Sequence, residues 1–167
     1  EKHDSIWSKR MLKYTKKTMM KKLPEGRIFN QLLKVNFVPL LTAIFKRDLF
    51  VKVNGVSEHM EIAEDYDLFL KLSCLTKFRA VQNVVAYYRL HNNNTSIVKQ
   101  EQCFLEISEI INGYLPNKAA ISGLEVHNTV SSISKIRNGE VIKGIMFFIR
   151  HGSISGLTYL IKHKFFY

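Results

Sequence analysis

From residue 99 onward the chain is written as helices separated by punctuation, and this limits the possible folds more than any other feature. Apolar residues recur at helical spacing over 99–114 and stop near Gly113 and Pro116. They resume over 118–137 and stop at Asn138-Gly139, and a third helix begins at Glu140. A last helix is expected over 153–163, weakened by Gly152 and Gly156, since glycine in a helix interior costs up to about 1 kcal/mol relative to alanine. This tail reads as all-helical.

The block before it has a different grain. Residues 37–45 form an apolar run containing Pro39, compatible with a buried strand over 40–45. Lys46-Arg47-Asp48 opens a helical turn that ends at Asn54-Gly55, where glycine suits the left-handed position after a helix. A polar loop over 57–63 leads into Glu64-Asp65-Tyr66-Asp67 and a helix to Leu75, with Leu68, Leu72 and Leu75 on one face. Three carboxylates in its first turn sit where the helix dipole favours negative charge. Residues 78–81 and 84–90 are β-branched and aromatic, hence strand-like. Residues 28–35 suggest a short helix after the Pro24-Glu25-Gly26 turn, and Trp7, Met11 and Tyr14 fall at helical spacing further upstream. The expected organisation is therefore a basic connecting segment over 1–34, a mixed α/β block over 35–98 and a helical extension over 99–167.

Composition narrows the class. With 46% hydrophobic and 23% charged residues the chain is an ordinary globular one rather than a disordered one. The greasy stretch over 141–161 is broken by Lys143, Arg150 and His151, which argues against a transmembrane helix. Basic residues also interrupt the first segment, so no signal-peptide core is expected there. Cys74 and Cys103 lack CxxC spacing and read as buried free thiols of a reducing compartment. The net charge of +11 is concentrated in residues 1–34, with ten Lys or Arg against three acids. Such a segment suits nucleic acid, an anionic surface or a phosphorylated ligand, but plain solvated surface is the stronger reading.

Two constellations could carry chemistry. Glu64, Asp65 and Asp67 open a helix from a flexible loop, so one carboxylate can face a cleft while the others cap the helix. Asp65-Tyr66-Asp67 also matches a short D-x-D string, but that motif ends a strand in sugar-nucleotide enzymes and here it opens a helix. Arg89 and His91 share one face of a strand, where a guanidinium and an imidazole can reach the same anionic group. Each alone reads more readily as a helix cap, or as an edge-strand Arg and a surface His.

Taken in order, these features resemble the second half of family 2 glycosyltransferases: Thr42-Ala43, Lys46-Arg47, Asn54-Gly55, Glu64-Asp65-x-Asp67-Leu68, and Tyr88-Arg89-x-His91 with Ser96 beyond. The resemblance covers roughly residues 32–98. It implies a partial GT-A, Rossmann-like sheet and transfer of a sugar, with inversion, from a nucleotide-sugar donor to a glycan or lipid-linked acceptor in cell-envelope or surface polysaccharide synthesis. Asp65 would be the general base, Glu64 and Asp67 would support the acceptor side, Arg89 would hold the donor diphosphate, and His91 would approach the metal, Mg²⁺ or Mn²⁺. The family's opening βαβ half with its Asp-x-Asp motif has no counterpart in residues 1–34, so the chain is expected to be a fragment, inactive alone. The implied location is the cytoplasm or the inner membrane face, with peripheral membrane contact and no specific nucleic-acid partner. The competing expectation is a non-catalytic module binding nucleic acid or an anionic surface through residues 1–34.

Overall fold

The computed structural model describes residues 23–83, 85–87 and 93–163. Among them the architecture is helical: α1 Phe29–Leu32, a 3₁₀ turn Leu40–Thr42, α2 Arg47–Lys52, α3 Glu64–Leu75, α4 Thr95–Val98, α5 Gln100–Asn112, α6 Lys118–Arg137, α7 Val141–His151 and α8 Ile154–His163. No sheet is present among the described residues, and the expected partial Rossmann-like sheet is corrected on that ground. A strand exists only where its N–H and C=O groups find a neighbouring strand. Here extended backbone occurs at Pro39, Ala43, Lys46 and Thr76, but it stays unladdered apart from one antiparallel bridge between Gly26 and Phe78. That bridge is reciprocal, with each N–H donating to the other residue's carbonyl at 2.8 Å.

The particular strands fail for the same reason. Residues 40–45, expected as a buried strand, turn through the 3₁₀ element, and Ile44 is 98% exposed. Val81, Val85 and Tyr87 are exposed as well, while Val84 and residues 88–92 lie outside the described residues. Residues 1–22, which hold Trp7, Met11 and Tyr14, also lie outside them.

The helices follow from local sequence. α2 ends as the Asn54-Gly55 signal demands: both residues have positive φ, the Gly55 N–H donates to the Phe50 carbonyl and the Asn54 N–H to the Val51 carbonyl. This pair of bonds closes a Schellman motif. α6 runs over the expected 118–137, with the Asn117 side chain accepting from the Ala119 N–H at 2.7 Å. α7 and α8 both pack on α6, and α5 packs on α6 from its N-terminal side in sequence.

α3 is the centre of the molecule. Tyr66, Leu68, Phe69, Leu70 and Leu72 are buried, so the helix is covered on most sides rather than along one stripe. Its neighbours in the core are Ile28, Leu32 and Leu33 from around α1, Ile110 and Ile111 from α5, and Ala120 from α6. Leu75, expected on the apolar face with Leu68 and Leu72, is exposed at the helix end. The Tyr66 hydroxyl donates to the Leu32 carbonyl at 2.9 Å and lies 3.3 Å from the Leu33 carbonyl, satisfying acceptors that α1 leaves open at its C-terminus. Cys74 is exposed and Cys103 half-buried, which corrects the expectation of two buried thiols.

Candidate functional site

The first turn of α3 carries Glu64, Asp65 and Asp67, and the fold gives each a different surrounding. Asp67 is buried; it accepts from the Ser57 hydroxyl and pairs with Lys71 one turn further on. Lys71 Nζ also donates to Ser57 Oγ at 2.9 Å, so these three side chains tie the polar loop to the helix it feeds. Asp67 is thus engaged in holding the loop in place.

Glu64 and Asp65 are half-buried. Burial, then the neighbouring Glu64 charge, push the Asp65 carboxyl up to about 6, against a hydrogen bond from the Tyr66 backbone that favours the anion. Glu64 Oε2 is buried and finds no hydrogen-bond partner among the described residues.

The helix start is capped from a distance. Ala63, at the cap position, offers no side-chain acceptor. Glu106 of α5 instead accepts from the backbone N–H groups of Glu61, Ile62 and Ala63 at 3.0, 3.0 and 2.9 Å, and from Gln102 Nε2 at 2.9 Å. Glu106 is 3% exposed. Burial works to raise its pKa, but the four hydrogen bonds together outweigh that and hold the carboxyl at about 2. Lys99 pairs with Glu61, and His59 lies 3.6 Å from Glu109, so the loop is held to α5 at several points.

Cys103, one turn before Glu106, is pushed up to about 11 by burial and then by the charges of Glu106, Asp65 and Glu64. The thiol therefore stays protonated and unreactive at neutral pH.

Sequence analysis singled out Glu64, Asp65 and Asp67, which the fold sets in the first turn of α3, and it did not single out Glu106. Its only local trace is an acid in phase with the apolar positions Cys103 and Ile110 of the same helix. Arg89 and His91 lie outside the described residues, as do residues 1–22, which carry most of the basic segment. Among the described residues no three His, Cys, Asp or Glu side chains converge to hold a metal ion. His91, which the resemblance sets near an Mg²⁺ or Mn²⁺ ion, is not among the residues searched.

Two concave regions lie elsewhere. A cleft of about 370 Å³ is lined by Arg27, Phe29, Asn30, Ser73 and Cys74, and a smaller one of about 160 Å³ lies between the start of α5 and the end of α6. Asp65 lines neither.

Compared with protein-family models, with curated proteins and with solved structures, the chain matches none. No helix among the described residues is long and apolar enough to cross a membrane.

Proposed function

We propose that Asp65 is the Brønsted base of an inverting sugar-transfer reaction. It takes the proton from an acceptor hydroxyl as that oxygen attacks the anomeric carbon of a nucleotide-linked sugar and the nucleoside diphosphate departs. One observation carries the choice of base, a half-buried carboxyl at the start of a buried helix, raised to about 6 by its surroundings; the sugar-transfer chemistry rests on the resemblance of residues 32–98 to family 2 glycosyltransferases. A base works best with a pKa near the operating pH, where it is deprotonated yet still draws the proton. The neighbouring acids support the choice by elimination, since Asp67 is engaged with Ser57 and Lys71, and Glu106 with the loop amides. Glu64 keeps the Asp65 carboxyl raised and flanks the acceptor.

The reading is tested with the protein expressed from its native gene, assayed against a panel of nucleotide sugars with glycan and lipid-linked acceptors. Asp65→Asn should lower turnover by about 10²–10⁴-fold, Glu64→Gln by much less, with both variants folded. Since the base must be ionised, kcat/KM should rise with pH and level off above about 6. Turnover of Asp65→Asn equal to that of the parent would remove Asp65 from this role.

A further inference from the structure

The C-terminal helices carry an exposed apolar surface. α7 presents Ile142, Ile145, Met146 and Ile149 at i, i+3, i+4 and i+7, which is one face of a helix. Ile142, Met146 and Ile149 are 75%, 66% and 77% exposed. The opposite face is fixed against α6: a Cβ on Gly144 would stand 2.8 Å from the Ser132 carbonyl oxygen and 2.9 Å from the Ile136 nitrogen. α8 repeats the arrangement. A Cβ on Gly156 would stand 2.6 Å from the Glu125 carbonyl oxygen and from Thr129 Oγ1, while Ile154 and Ile161, seven residues apart, are exposed.

The residues that receive the two glycines are Glu125, Thr129, Ser132 and Ile136, spaced by four, three and four, so they form one face of α6. α7 and α8 therefore seat one after the other on the same face of α6, and both apolar stripes lie on the side of their helices turned away from it.

Charge distinguishes what this surface fits. Residues 141–163 contain no Asp or Glu, and Lys143, Arg150 and Lys162 stand among them. Lys143 and Arg150 are seven residues apart and so border the α7 stripe along one edge; Lys162 directly follows Ile161. Glu140, just ahead of α7, pairs with Lys143 at 3.1 Å. Long basic side chains beside an aliphatic face can lay their stems on acyl chains and their heads among lipid phosphates. A second copy is disfavoured, because two such faces, each basic and each on a chain of net charge +11, would meet with like charges.

We propose that α7 and α8 together form a peripheral docking face for an anionic lipid bilayer, lying in the interface without spanning it. The proposal is independent of the role of Asp65.

The test is flotation of the whole protein with vesicles of phosphatidylcholine, alone or mixed with phosphatidylglycerol. The parent protein should bind the mixed vesicles, bind neutral ones far less, and be released by high salt. Ile142→Ser with Ile149→Ser should weaken partitioning by about 30-fold. Lys143→Gln, Arg150→Gln and Lys162→Gln together should weaken it by about 100-fold at low ionic strength. Both variants should keep the parent's circular dichroism, since the replaced isoleucines are largely solvent-facing. Replacing Lys16, Lys17, Lys21 and Lys22 with Gln controls for the basic first segment. Unchanged partitioning of both helix variants, or loss only in that control, would overturn the proposal. Self-association of the parent, abolished by the isoleucine changes, would also overturn it by giving the face to a second copy.

Discussion

At the scale of single residues, folding moves two carboxyls in opposite directions. Asp65 is raised to about 6, so its proton is held more tightly in the folded state, and its contribution to stability falls as pH climbs from 3.8 to about 6. Glu106 is lowered to about 2, so its contribution is present above 4.5 and is lost as pH falls through about 2. These two groups alone place the stability maximum at moderately acid pH. Replacing Glu106 with Ala would leave three backbone N–H groups at the head of α3 without their acceptor, and should cost about 3 kcal/mol or more in urea unfolding at pH 7. Unfolding midpoints within error of the parent would show that the loop amides find other partners. Nothing near Glu61 or Ala63 in the sequence announced this contact, because its acceptor arrives from more than forty positions away. Asp65 was legible, since an acid after a loop and before an apolar helix is a local pattern.

At the scale of elements, legibility tracked how local the cause of each element is. Helices carry their own hydrogen bonds, so Gly113, Asn138-Gly139 and the Asn54-Gly55 pair mark their ends in sequence and in space alike. Strands depend on a partner, and β-branched composition over 78–81 could not reveal that only Phe78 would find one, in Gly26. The misread exposure of Cys74 has a related cause: α3 is buried by what packs on it, and its last turn extends beyond that cover. The docking of α1 on α3 rests on aliphatic packing and on the Tyr66 hydroxyl. Tyr66→Phe should therefore lower unfolding free energy by about 1–3 kcal/mol, measured in urea, because the buried Leu32 carbonyl loses its donor. A loss no larger than that of an exposed substitution would mean that α1 holds its place through packing alone.

At the scale of the whole molecule, the helical bundle presents a half-buried acid at one helix start and a basic, aliphatic surface on its C-terminal helices. The fold itself lifts the Asp65 carboxyl to about 6, and linkage makes this visible in global stability. The most direct measurement is unfolding free energy from pH 4 to pH 8 for the parent and for Asp65→Asn, in which the titrating group is gone. The two curves should converge near pH 4 and separate through pH 6, with Asp65→Asn the more stable by about 1–2 kcal/mol at pH 8 once solvent screening of a half-buried group is allowed for. Curves that stay parallel across the range, or a parent that gains on the variant as pH rises, would contradict it.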